Sequence, residues 1–199
     1  MKRHTKKNAG NQKLLVSSCN LYTVELDSIS EETRDLVAVE LNYPLKDEPS
    51  YFVETMRRYA HDEANVNWEL FRKNRVDIIG SSNGLVCIYP ERGGAFLFNP
   101  TTGESKKVPE SVTFHEQPYG FGYDTLTEDY KVVKFVVAGD YKGYHNADVY
   151  SLKRDSLRRV QGLPYQRVGT TSGVLLNGAI HWVVKLENGQ SQKRVVVAA

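Results

Sequence analysis

The sequence predicts an all-β fold, a partial β-propeller of four-stranded antiparallel blades that is incomplete at both ends. From residue 76 onward, short runs rich in valine, tyrosine and phenylalanine alternate with turns rich in glycine, proline, asparagine and aspartate. Two short patterns also recur along the chain. Strands this short and this evenly spaced favour an all-β protein over one with alternating helices and strands.

The predicted strands form successive groups, separated by turn residues. Their bounds are 76–79, 85–89, 95–98, 105–108, 119–123, 130–137, 148–152, 157–160, 173–176, 179–185 and 194–198. The first blade is expected over 76–108 and the second over 119–160. A third blade is expected to begin near residue 173 and to lack its last strand.

A weak internal repeat supports this division. Residues 97–108 align with 149–160, because each segment has an apolar strand, a polar turn, two basic residues and a valine. Residues 83–88 align with 177–182, because each begins with Asn-Gly and continues as an apolar strand. The expected unit of about 40–50 residues is the length of a propeller blade.

The first part of the chain is less regular. Residues 1–12 predict a basic, disordered tail, and residues 13–17 and 21–26 predict a hairpin. Residues 46–75 mix aromatic and charged side chains and predict an irregular insertion. One propeller-like domain is therefore expected over 13–199.

The amino-acid composition argues against two classes of binding partner, nucleic acids and membranes. With 26 basic and 24 acidic residues, the chain carries no charge excess that would attract nucleic acid or membranes. No signal peptide or long apolar run is present, so we expect a cytoplasmic or nuclear protein. Cys19 and Cys87 lie in apolar runs without metal-ligand spacing, and both are expected to be buried, reduced thiols.

Three motifs have a possible chemical interpretation. Residues 80–84 match G-x-S-x-G, so Ser82 is a candidate hydrolase nucleophile, but the apolar run that follows favours a strand instead of the required helix. Gly120 and Gly122 lack the third glycine of a dinucleotide loop and instead indicate close backbone approach near a propeller axis. The five histidines show no metal-ligand spacing. We therefore expect no catalytic residue, metal or cofactor.

Loop length points to one face as a protein-binding surface. In a four-stranded blade, the loops between strands two and three and the connections between blades lie at the same end. Here those segments are longer and richer in aromatic and basic side chains than the turns at the other end, and such side chains are common interface anchors. The candidate binding residues are Arg92, Phe114, His115, Glu116, Tyr141, Tyr144, His145, Tyr165 and Arg167.

Five motifs occur in an order that resembles a known family. They are SSNGLVC at 81–87, FNPTTG at 98–103, YGFGYD at 119–124, DYKVV at 129–133 and NGAIHW at 177–182. This series resembles the F-box-associated, kelch-like interaction domain of plant F-box proteins. Residues 11–45 resemble, more loosely, the stretch that follows the F-box.

The resemblance implies a role as the substrate receptor of an SCF-type ubiquitin ligase. The propeller-like domain would bind the protein to be ubiquitinated, and an F-box would bind a Skp-type adaptor and, through it, the cullin. No F-box is recognisable in this sequence, so adaptor and cullin would be reached only through a segment that is missing here. Two alternatives remain open: a truncated or dominant-negative product without ligase coupling, and a serine hydrolase that uses Ser82.

Overall fold

The computed structural model describes residues 13–17, 20–25, 37–48, 76–91, 93–110, 118–137, 145–163, 165–167, 172–186 and 192–197. These residues form fifteen β-strands and no helix, which confirms the predicted all-β fold. The chain divides into two compact units between Val76 and Asp77. The predicted tail lies outside the described residues, as does most of the predicted insertion, of which residues 46–48 are turn and bend.

The N-terminal unit contains one three-stranded antiparallel sheet. Its strands are β1 (Lys13–Ser17), β2 (Leu21–Glu25) and β3 (Ala38–Glu40), in that spatial order. The pairing of Lys13 with Glu25 and of Ser17 with Leu21 confirms the predicted hairpin. The sequence had not predicted β3, a three-residue strand with every residue exposed, because it lacks the apolar alternation that identifies a strand.

The first blade contains four consecutive antiparallel strands. They are β4 (Val76–Ser82), β5 (Leu85–Pro90), β6 (Phe96–Phe98) and β7 (Ser105–Lys107), in sequential spatial order. Asn83 and Gly84 connect β4 to β5 with φ angles of 48° and 83°. A two-residue turn with both φ angles positive matches the right-handed twist of the strands, which is why Asn-Gly is favoured there.

The second blade repeats this arrangement with longer strands. They are β8 (Tyr119–Asp124), β9 (Asp129–Val137), β10 (His145–Ser151) and β11 (Ser156–Leu163), again in sequential order. Phe96 pairs with Lys107 in the first blade, and Asp148 pairs with Arg159 in the second, so the outer strand pairs have the same register at an offset of 52 residues. The predicted repeat of 97–108 in 149–160 is therefore confirmed.

The third blade has an interrupted inner strand. Its strands are β12 (Tyr165–Arg167), β13 (Val174–Leu176), β14 (Ala179–Leu186) and β15 (Gln192–Val197). Both β12 and β13 pair with the same edge of β14, while β15 pairs with its other edge.

Two apolar clusters pack the three blades against each other. The first contains Ile79, Cys87, Ala95, Leu97, Val108, Tyr119, Phe121, Val132 and Tyr150. The second contains Val133, Phe135, Ala147, Val149, Ile180 and Trp182. Neighbouring residues of one strand, such as Val132 and Val133, belong to different clusters because successive side chains point to opposite faces of a sheet. The second blade is consequently covered on both faces.

Glycines allow the inner strands of the second and third blades to approach closely. Gly120 and Gly173 form a parallel bridge, and the Gly173 N–H donates to the Tyr119 carbonyl at 2.7 Å. A Cβ atom on Gly120 would lie 2.6 Å from Cγ2 of Ile180 and would also overlap the Trp182 ring. This confirms the prediction that the glycines around Phe121 mark close backbone approach.

Candidate protein-binding face

The antiparallel order of the blades places their connections at two opposite ends. The turns at 83–84, 99–104, 125–128, 152–155 and 177–178 lie at one end, which we call the turn face. Of the remaining connections, the described residues 91, 93–95, 108–110 and 118 lie at the other end, which we call the loop face. The loop face is the surface on which the sequence placed the candidate binding residues.

Side-chain hydrogen bonds hold the turn face together. The buried Asp129 accepts hydrogen bonds from the Ser151 hydroxyl at 2.5 Å and the Lys153 N–H at 2.8 Å, and pairs with Lys131 Nζ at 3.0 Å. Burial acts to raise the pKa of Asp129, but these three donors outweigh it, and the pKa is lowered. Asp129 thus fastens the start of β9 to the β10–β11 turn.

The other turn of the second blade is closed by its own aspartate. Asp124 Oδ1 accepts from the Leu126 N–H at 2.9 Å, and Asp124 Oδ2 accepts from the Thr127 hydroxyl at 2.6 Å. The Thr127 hydroxyl is the main cause of the lowered pKa of Asp124. Short polar side chains that bond the backbone two or three residues onward are typical of tight turns.

A cleft of about 470 Å³ opens on the loop face of the first blade. It is lined by Tyr89, Gly93, Gly94, Lys107, Val108, Pro109 and Glu110. These residues come from the β5–β6 loop and from the connection that leaves β7. The Val108 N–H donates to the Ala95 carbonyl at 2.9 Å, which joins the two segments.

Glu110 holds the base of this cleft. Its Oε1 accepts from the Ala95 N–H at 3.2 Å and from the Tyr119 hydroxyl at 2.8 Å, and its Oε2 accepts from Lys134 Nζ at 3.4 Å. Lys134 is only 5% exposed and lies 5.2 Å from the centre of the Tyr119 ring. One carboxylate therefore connects the loop of the first blade to the first two strands of the second, and the buried lysine balances its charge.

Two tyrosines beside Glu110 stay protonated at neutral pH. Burial raises the pKa of Tyr119, and the nearby Glu110 charge raises it further. The same two causes, in the same order, raise the pKa of Tyr89. The rings of Tyr89 and Tyr119 lie 5.3 Å apart at a tilt of 43°. Both hydroxyls are therefore hydrogen-bond donors, and that of Tyr89 has no partner among the described residues.

The structure describes only part of the predicted binding set. Arg92, Phe114, His115, Glu116, Tyr141 and Tyr144 lie outside the described residues. His145 begins β10, while Tyr165 and Arg167 lie in β12. Placing these last three in loops was wrong, because β10 begins at His145, earlier than the expected 148, and β12 pairs with the β14 edge beyond β13. Their role in binding stays a prediction.

Sequence reasoning missed the residues that form the cleft. Tyr89 was assigned to a strand, Lys107 to the basic pair of the repeat, and Glu110 received no role. The one available signal was the position of Glu110 within the connection predicted between the first and second blades. The spacing of residues along the chain does not predict that the Glu110 carboxylate accepts a hydrogen bond from the Ala95 N–H.

The structure tests the predictions made for Ser82 and for Cys87. Ser82 ends β4 and is followed by the Asn83-Gly84 turn and by β5, so the helix that a nucleophile elbow requires is replaced by a strand. The nucleophile-elbow interpretation is therefore wrong. Cys87 is fully buried, as predicted, and burial raises the pKa of its thiol, which keeps it protonated. Cys19 lies outside the described residues.

Comparison with known proteins agrees with this architecture. The model of the F-box associated beta propeller domain matches residues 27–197. The chain belongs to this family. No solved structure matched it. Among the described residues there is no helix of the length and apolarity needed to cross a membrane.

Several Arabidopsis thaliana proteins are similar to this family member. An F-box protein is 33% identical over 135 residues, covering 55% of this chain and 32% of the relative. The F-box protein CPR1 is 26% identical over 205 residues, covering 88% of this chain and 41% of the relative. An F-box/kelch-repeat protein is 28% identical over 123 residues, covering 57% of this chain and 34% of the relative. The chain spans about a third to two fifths of the length of these relatives.

Proposed function

We propose that the chain is the substrate-recognition module of an SCF-type ubiquitin ligase and binds its target protein through the loop face. Membership in the F-box-associated family supports the class of function. The observation that carries the choice of surface is the cleft lined by Tyr89, Lys107 and Glu110. Its lining is partly apolar, and neither the Lys107 ammonium nor the Tyr89 hydroxyl has a partner among the residues that the structure describes.

Target recognition and ligase coupling belong to different parts of the polypeptide. The blades hold the target, and adaptor and cullin join only through an F-box in the same polypeptide. We propose that this occurs in the cytoplasm or the nucleus. No residue of the loop face is assigned a covalent step, because recognition requires only complementary shape and charge.

The experiment is capture from plant cells with and without a proteasome inhibitor. The tagged full chain is compared with Tyr89→Ala, which removes a cleft wall, and with Arg154→Ala, which removes an exposed side chain of the turn face. Circular dichroism checks that both variants fold.

We expect the chain to retain proteins whose abundance rises when the proteasome is inhibited. Tyr89→Ala should release them, and Arg154→Ala should retain them. Capture of only inhibitor-insensitive proteins would overturn the role in protein turnover. Equal capture by the two variants would overturn the assignment of the loop face.

A further inference from the structure

The walls of the loop-face cleft favour an apolar side chain. The apolar lining residues are Tyr89, Val108 and Pro109, and Gly93 and Gly94 line the cleft without adding a side chain. The two glycines have φ angles of 92° and 83°, a conformation that other residues rarely adopt. A cleft of about 470 Å³ is in the size range of small-ligand sites, so it has room for a large aromatic or aliphatic side chain.

Among the described residues that line the cleft, Lys107 is the cation that remains available to a ligand. Glu110 at the base already accepts three hydrogen bonds and is neutralised by the buried Lys134. Glu110 therefore has little free charge or hydrogen-bonding capacity with which to attract a basic ligand. Lys107 on the wall is exposed and forms no ion pair among the residues that the structure describes. The Tyr89 hydroxyl, which is protonated and also without a partner among the described residues, adds a second donor.

We propose, on the basis of the proposed function, that this cleft binds a segment of the target protein in which a large apolar residue lies next to acidic residues. The apolar side chain enters between Tyr89 and Pro109. A neighbouring carboxylate pairs with Lys107 and accepts from the Tyr89 hydroxyl. The carboxylate of Glu110 does not attract a basic segment, because the buried Lys134 already balances its charge.

Two capped peptides that differ only in charge test this assignment. One has a central tryptophan flanked by aspartates, and the other has the same tryptophan flanked by lysines. Each is titrated into the isotope-labelled full chain at low salt, and the amide resonances of Gly93 and Gly94 report binding. We expect the acidic peptide to bind about fivefold or more tightly than the basic one, the size of one partly exposed ion pair.

Charge reversal identifies the responsible cation. Lys107→Glu should invert the preference between the two peptides. Arg158→Glu is the matched control, because Arg158 is exposed on the outer strand β11 of the second blade and does not line the cleft. It should leave the preference unchanged. Tyr89→Phe keeps the ring and should weaken only the acidic peptide.

The outcomes distinguish this inference from the function on which it rests. Equal affinity for both peptides would overturn the acidic preference. If neither peptide shifts the Gly93 and Gly94 amides, while the full chain still captures proteasome-sensitive proteins, the inference is wrong and the proposed function stands. If capture also fails, both are wrong.

Discussion

The two faces of the propeller unit use their polar side chains in different ways. On the turn face, Asp124 and Asp129 accept hydrogen bonds from the turns beside them, so their oxygens are occupied in closing hairpins. On the loop face, Glu110 is equally occupied, but Lys107 and the Tyr89 hydroxyl have no partner within the described part of the chain. A face whose donors and acceptors are already paired stabilises the fold, whereas one that keeps unpaired groups around a cleft can bind a partner.

The largest expected effect is on stability, from the turn face. Asp129→Ala removes the acceptor of the Ser151 hydroxyl and the Lys153 N–H and leaves Lys131, whose side chain is 13% exposed, without its carboxylate. We expect the free energy of unfolding to fall by about 3 kcal/mol. Urea denaturation measures it.

Asp47→Ala is the control for that variant, because Asp47 is exposed and has no partner among the described residues. It should change stability by less than about 0.5 kcal/mol. A similarly small change for Asp129→Ala would show that the turn-face hydrogen bonds contribute little to stability. The distinction between a stabilising turn face and a binding loop face would then be wrong.

A smaller effect is expected from a glycine that lines the cleft. Gly94→Ala places a Cβ atom 2.8 Å from Cδ of Glu110, at a φ angle of 83°. Gly84→Ala imposes strain at the same φ angle with no atom within 4 Å. We expect losses of about 2–3 kcal/mol for Gly94→Ala and about 1 kcal/mol for Gly84→Ala.

The difference between these two variants measures how firmly Glu110 is held. Chemical denaturation gives the free energies, and binding of the acidic peptide gives the functional readout. Gly94→Ala should weaken peptide binding, and Gly84→Ala on the turn face should not. Equal losses of stability would mean that Glu110 moves aside easily and does not form a fixed base for the cleft.

The smallest expected effect concerns an exposed link between the first two blades. Lys106 Nζ lies 2.9 Å from Asp155 Oδ2, and the Tyr150 hydroxyl donates to Asp155 Oδ1 at 2.8 Å. Lys106→Ala should lower the thermal midpoint slightly at low salt and leave it unchanged at high salt, since salt screens exposed charges. Lys107→Ala removes a neighbour that has no ion pair with any described residue, and it should have no effect at either salt concentration. A salt-independent loss for Lys106→Ala would show that its role is packing.

Most of the fold follows from local sequence signals. The repeated Asn-Gly pairs are typical of two-residue hairpin turns, and Asn83, Gly84, Asn177 and Gly178 all have positive φ angles as that turn requires. The offset between 97–108 and 149–160 also predicted equivalent turn positions, and Gly103 and Asp155 both have positive φ angles. These features were predictable because each depends on residues close together in the chain.

The strands that were missed depend on partners distant in the chain. β12 has three residues, and its pairing with Val184–Leu186 satisfies backbone groups on an edge that β13 leaves open. The sequence of residues 165–167 contains no signal that predicts this pairing. The same holds for β3, whose exposed residues pair with β2 across the intervening segment.

The sequence by itself determined the fold class, the blade repeat, the turn types and the family, because periodic strands, Asn-Gly turns and ordered motifs are local properties. Only the tertiary structure decided which side chains form the cleft. Glu110 is joined to Ala95, Tyr119 and Lys134 by contacts that cross two blades. Which donors are paired, and which remain for a partner, depends on distances in space that spacing along the chain does not encode.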